Sequence, residues 1–135
     1  MTNSAKNITS VPIQLLLVDD EKDFVNILSK RFKRRNIDVA KAFSGAEAIQ
    51  ALRGQEFDVA VLDLKMEDMD GIEVLKVLKI MAPRLAVIML TGHGSAEAAE
   101  QGLKLGAFDY LTKPCELDEL LEKIMAAYAH RKQDR

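Results

Sequence analysis

The chain has 135 residues, enough for one domain with a substantial core. Nineteen Lys and Arg against twenty-one Asp and Glu give a net charge of −2, which offers no basic footprint for nucleic acid or an anionic membrane. No apolar run reaches the roughly 18 residues of a membrane span, the polar start MTNSAKNITSVP lacks a signal peptide's apolar stretch, and a single cysteine, Cys115, excludes an internal disulfide and a cysteine-based zinc site. A cytoplasmic protein is expected.

Residues 1–11 read as a flexible arm. Ile13 to Val18 is a short apolar run that suits a buried strand, and it ends on Asp19-Asp20. From Glu21 the period changes: Phe24, Ile27, Leu28 and Phe32 fall at helical spacing, and Lys30, Arg31, Lys33, Arg34 and Arg35 complement the helix dipole without needing a ligand. Ile37 to Ala42 is a second strand. Ser44-Gly45-Ala46-Glu47 then reads as a capping box, with Ala48, Ile49 and Leu52 as the apolar stripe and Gly54 as the stop. The third strand, Val59 to Leu62, stops on Asp63. A loop closed by Gly71 leads to a helix over IEVLKVLKIM, ended before Pro83.

Leu85 to Leu90 is the fourth strand, running into Thr91-Gly92-His93-Gly94, and Ser95 caps a fourth helix stopped by Gly106. Ala107 to Leu111 is the fifth strand, ending near Thr112-Lys113-Pro114. The last helix starts at Glu116 and carries Leu117, Leu120, Leu121, Ile124, Met125 and Tyr128 on one face. Its tail, residues 131–135, is charged and expected to fray, leaving 12–130 as the domain. Five alternations of strand and helix without a hairpin signature call for a parallel sheet with helices on both faces and right-handed crossovers.

Parallel strands share their carboxyl ends, so Asp19-Asp20, Asp63, Thr91 and Lys113 meet on one sheet edge, where open α/β sheets place their chemistry. Taken singly, an acid after a strand is a helix cap and a lysine is a surface charge. Together they do more. Converging carboxylates repel by about 4 kcal/mol at 4 Å and an effective dielectric of about 20, so they call for a cation. Oxygen-only donors with room for water suit Mg²⁺ rather than zinc. An acid, a divalent metal, a lysine and a hydroxyl suit phosphoryl transfer, with Asp63 as the best covalent acceptor.

The order of these residues resembles the receiver domain of bacterial two-component response regulators, the CheY-like family, over about Gln14 to Tyr128. That pattern is an acidic pair after the first strand, an aspartate after the third, Ser or Thr after the fourth and Lys-Pro after the fifth. It is met by Asp19-Asp20, Asp63, Thr91 and Lys113-Pro114. The resemblance implies a flavodoxin-like (βα)5 three-layer sandwich with strand order 2-1-3-4-5. It implies that Asp63 accepts a phosphoryl group from a sensor histidine kinase or phosphotransfer protein. Asp20, Asp63 and the Lys65 backbone carbonyl would hold Mg²⁺, with Asp19 acting through water. Thr91 and Lys113 would contact the phosphoryl oxygens, and Tyr110 would turn inward as the switch aromatic. The face of the fourth helix, fifth strand and fifth helix would then change, controlling a downstream partner or a missing output domain and allowing a phosphorylation-dependent homodimer. Direct nucleic-acid or membrane binding by this domain is not implied, nor is turnover beyond Mg²⁺-dependent self-phosphorylation from a donor and autodephosphorylation.

Three departures from the family pattern stand out. Glu67 replaces a frequent proline, which adds negative charge and is expected to loosen the loop. Cys115 replaces a frequent phenylalanine, and reads as a small apolar residue. Lys65 and His93 lie at the phosphoryl entrance, where they would tune dephosphorylation, while His130 reads as solvated. Competing functions fare less well. A Mg²⁺-dependent phosphatase would need a cap domain, and the dinucleotide fingerprint started by Gly92-His93-Gly94 fails at Glu97. A phosphorylation-independent interaction module leaves the full acidic set unused. The start at Met1 argues against the carboxyl-terminal receiver of a hybrid kinase, leaving a stand-alone regulator or a piece of a longer one.

Overall fold

The computed structural model describes residues 11–92 and 96–133. Within them, β1 (Ile13–Val18), α1 (Lys22–Lys33), β2 (Ile37–Ala42), α2 (Gly45–Gly54), β3 (Val59–Asp63), α3 (Gly71–Met81), β4 (Ala86–Thr91), α4 (Ala96–Lys104), β5 (Asp109–Thr112) and α5 (Leu117–Gln133) alternate along the chain. The strands form one sheet in the order β2-β1-β3-β4-β5, with every pair parallel. The flavodoxin-like fold expected from the sequence is therefore the one observed.

Side chains alternate across a strand, and here each face finds its own core. Leu16, Val18, Ala60, Leu62, Val87 and Met89 pack under α2, α3 and α4, with Ala48, Val74, Leu75, Leu78 and Ala98. Leu15, Leu17, Val59, Val61, Ile88 and Leu90 face α1 and α5, with Val25, Leu28, Phe32, Leu120, Ile124 and Ala127. The inner stripes differ slightly from the sequence reading. Ile27 and Met125 stand outward, 55% and 49% exposed, while Val25 and Ala127 are buried in their stead.

The strand boundaries also shift, for reasons visible in the hydrogen bonds. Leu85 N–H turns back to the Ala82 carbonyl, so β4 starts at Ala86 and runs on through Thr91, which pairs with Thr112. Ala107 N–H returns to the Gly102 carbonyl and belongs to the end of α4 rather than to β5. Asn36 closes α1 with a φ of 63°, a left-handed turn that asparagine tolerates better than most residues. The final helix continues to Gln133 instead of fraying after His130. Arg131 Nη1 reaches Asp58 Oδ1 at 3.2 Å and pins the last turn to the sheet, and the His130 ring lies 5.3 Å from that of Phe108.

Gly71 sets the end of the β3–α3 loop. Its N–H donates to the Leu64 carbonyl at 3.2 Å, and a Cβ there would fall 2.3 Å from Leu64 Cα, a backbone atom that cannot step aside. The loop folds back on the strand it leaves because this residue has no side chain. No helix among the described residues is long and apolar enough to cross a membrane.

Candidate functional site

The carboxyl edge of the sheet gathers most of the predicted residues. Asp19 is buried, Asp20 is half-buried and Asp63 is 5% exposed, and one oxygen from each lies within 4.8 Å of the others. Asp63 Oδ1 accepts the Lys65 N–H at 3.0 Å, while Oδ2 lies 3.8 Å from Lys113 Nζ. Burial pushes the Asp63 carboxyl from 3.8 up to about 6. The Lys65 N–H and Lys113 oppose the rise, and Asp19 and Asp20 add to it.

Lys113 is the hub. Its ammonium is 2.8 Å from Asp19 Oδ2 and 2.6 Å from Glu21 Oε1, and lies 4.7 Å from the centre of the Phe24 ring. Burial alone would lower its pKa. The hydrogen bonds to Asp19 and Glu21 outweigh burial and hold it above the usual lysine value. Asp19 Oδ1 accepts the Glu21 N–H at 2.9 Å, so both Asp19 oxygens already have partners. Asp20 is less committed among the described residues: its Oδ2 accepts the Glu67 N–H, at 3.3 Å.

Thr91 is 3% exposed, at the end of β4, one residue past the Leu90 that pairs with Asp63; its hydroxyl donates to the Leu111 carbonyl at 3.4 Å. Lys65 and Glu67 sit exposed in the loop after Asp63. Tyr110 stands apart on β5, 38% exposed, its backbone paired beside Met89. His93 and Ser95 lie outside the described residues, as does most of the amino-terminal arm. Cys115 is half-buried against the α1–α5 core, where burial raises its thiol pKa and favours the uncharged form.

The loop that carries Glu67 makes contacts at three places. It is tied by the Glu67 N–H to Asp20, by Asp68 to the first turn of α2, and by a bridge between Lys65 and Asp70. Two site neighbours escaped the sequence reading. Glu21 occupies the N-cap position of α1 yet makes no cap; its side chain serves Lys113 instead. Asp68 is one of three acids in MEDMD, with nothing in its spacing to mark it.

The donor set answers whether a metal fits. Three carboxylates converge, oxygen is the only donor type, and one lysine does not neutralise them; this suits a hard divalent cation such as Mg²⁺.

Residues 15–125 match the response regulator receiver domain family. The chain belongs to that family. It is 37% identical over 121 residues to the transcriptional regulatory protein ZraR of Salmonella typhimurium, which covers 90% of this chain and 27% of that protein. The receiver thus spans about a quarter of the length of the curated relatives it matches. Among solved structures, the receiver domain of the Francisella response regulator 1452 superposes with a TM-score of 0.80 at 36% identity, covering 87% of this chain and 98% of the other. A CheY-like receiver from Methanospirillum hungatei JF-1 superposes with a TM-score of 0.88 at 28% identity, covering 93% of this chain and all of that one. The family places this receiver in two-component signalling.

Proposed function

We propose that this receiver is the phosphoacceptor of a two-component phosphorelay, with Asp63 as the residue modified. The observation that carries the reading is the placement of the Asp63 carboxylate, buried on the sheet edge between two further carboxylates and 3.8 Å from Lys113. An Asp63 oxygen attacks the phosphorus of a phosphohistidine donor; the P–N bond breaks as the P–O bond forms, and the donor imidazole leaves with the electron pair. Asp20, Asp63 and the Lys65 backbone carbonyl would hold Mg²⁺, with Asp19 through water. The division is supported by Asp19 having both oxygens occupied, while among the described residues Asp20 uses one oxygen, for the Glu67 N–H. Bound there, Mg²⁺ supplies positive charge to offset that of the phosphoryl oxygens.

Lys113 swings part of its charge from Asp19 and Glu21 to the new phosphoryl group, and Thr91 exchanges the Leu111 carbonyl for a phosphoryl oxygen. Tyr110, exposed on β5, turns inward as Thr91 moves. Lys65, Glu67 and His93 tune the lifetime of the acyl phosphate. The α4–β5–α5 face is the readout. Leu103, Tyr110 and Met125 lie on these three elements with 39%, 38% and 49% exposure, an apolar set suited to a phosphorylation-dependent homodimer, a downstream protein or an output domain. The receiver unit runs from residue 12 through the end of α5 and works in the cytoplasm. It neither turns over a substrate nor binds nucleic acid itself; its own chemistry is limited to acquiring and losing the phosphoryl group.

A small phosphoryl donor such as phosphoramidate is expected to label the protein only with Mg²⁺, and Asp63→Asn to abolish the label. Full labelling of that variant overturns the assignment.

A further inference from the structure

The loop that follows Asp63 is fastened at two places. On its outer side Asp68 accepts two backbone hydrogen bonds, from Gly45 N–H to Oδ1 at 3.0 Å and from Ala46 N–H to Oδ2 at 3.2 Å. These are the first two donors of α2, and helix termini leave such groups without intrahelical partners. The next donor, Glu47 N–H, goes to Ser44 Oγ at 3.0 Å, and Ala48 N–H goes to the Ser44 carbonyl. Two of the three free donors of the first turn are thus served from the phosphoacceptor's own loop, where a carboxylate also gains from the helix dipole. The Gly45 N–H, above all, holds the Asp68 carboxyl below its usual range.

The contact is also tight. A Cβ on Gly45 would fall 2.8 Å from Val74 Cγ2 and 3.0 Å from Met69 Sδ, so glycine lets α2 approach both the loop and α3. On the loop's inner side the residue before Asp68, Glu67, donates its N–H to Asp20 Oδ2 at 3.3 Å. A proline at that position would have no N–H to give.

Resting on the phosphoacceptor reading above, we propose that Asp68 is a positioning residue for the acidic pocket: by clamping the loop to the first turn of α2 it holds the Glu67 N–H against Asp20, and so sets the carboxylate that would bind Mg²⁺. Asp68 is not one of the three acids that converge in the pocket. It acts through one residue of backbone, and the same linkage run backwards carries a change at Asp20 out to the amides of Gly45 and Ala46.

The test is a Mg²⁺ titration of the full chain without a phosphoryl donor, followed by amide NMR. In the wild type, Mg²⁺ is expected to shift the Gly45 and Ala46 amides although neither lines the pocket. Asp68→Ala should raise the Mg²⁺ Kd by about 10-fold, the lower end for an outer-shell partner of a metal site, and leave those two amides unresponsive. Asp68→Asn, which keeps one acceptor oxygen, should fall between. Ser44→Ala removes the other cap of the same helix turn without touching the loop, and should leave the Kd unchanged. An unaltered Kd in both Asp68 variants, or an equal rise in Ser44→Ala, overturns the proposal. A wild-type chain that binds no Mg²⁺ overturns the reading of the pocket itself, and this proposal with it.

Discussion

Lys113→Met is expected to weaken both the fold and the chemistry. The ammonium it removes is 2.8 Å from Asp19, which is wholly buried, and 3.8 Å from Asp63. Deleting one partner of a buried pair leaves the other as an uncompensated charge, a loss of about 3 kcal/mol. The Glu21 contact adds little, because that carboxylate is largely exposed and solvent screens it. Phosphoryl labelling should fall by about 10²–10³-fold, as for the loss of one preorganised donor to developing charge. The two effects separate with Mg²⁺. Metal supplies the missing positive charge to the carboxylates and should recover much of the stability, but it cannot replace the ammonium at the phosphoryl oxygens. Lys113→Arg keeps the charge but spreads it over a planar fork, which does not match three acids converging on one point; it should retain stability better than activity. Denaturant titration with chelator and with Mg²⁺ checks the first part, and labelling rates check the second. Unchanged stability in chelator would mean that Asp19 is not held by this lysine.

Asp63→Asn should stabilise the metal-free protein, and by an amount that depends on pH. The carboxyl moves from 3.8 to about 6 on folding, chiefly through burial. The folded state therefore holds the proton more tightly than the unfolded state. The stability this contributes is fully present below about pH 4 and is lost as pH rises through about 6, so ionised Asp63 costs on the order of 3 kcal/mol at pH 8. Asparagine does not ionise and escapes that cost. The variant should exceed the wild type by up to this amount at pH 8, and the gap should close as pH falls toward 4. Mg²⁺ should also narrow it, because the cation favours the ionised wild-type site and has little to gain from an amide. Thermal melts of both proteins from pH 4 to 8, with and without Mg²⁺, measure the gap. A difference that does not vary with pH would place its origin in packing rather than in the buried charge.

The readable and unreadable parts of this sequence divide along chain separation. Val59 to Leu62 could be placed in the sheet because a short apolar run needs burial on both faces, and its neighbours repeat the pattern at regular intervals. The convergence of Asp19, Asp20, Asp63, Thr91 and Lys113 followed from one rule, that parallel strands end on the same edge. The capping box at Ser44 was legible because it is local. Its glutamate reaches back as well, accepting the Phe43 N–H. The contacts that tune the site are not local. Lys113 meets Glu21 across 92 residues, and Asp68 meets Gly45 across 23. A single sequence carries no signal for such pairs, since each residue taken alone has an ordinary explanation as a helix-entry acid or a loop acid. The outward turn of Ile27 and Met125 was hidden for a related reason. Helical spacing gives a stripe about a third of the way round, and only the packed sheet decides which edge of it is inside.

In the phosphorelay role proposed above, one carboxylate, Asp63, takes the phosphoryl group. An acyl phosphate is opened by borohydride: hydride adds to the acyl carbon, phosphate leaves with its electron pair, and further reduction turns the labelled aspartate into homoserine. The protein labelled with phosphoramidate and Mg²⁺, reduced in this way, digested and sequenced by mass spectrometry, should carry homoserine at position 63 and aspartate at positions 19 and 20. Homoserine at either of those two positions, or a label that remains on a histidine, would contradict it.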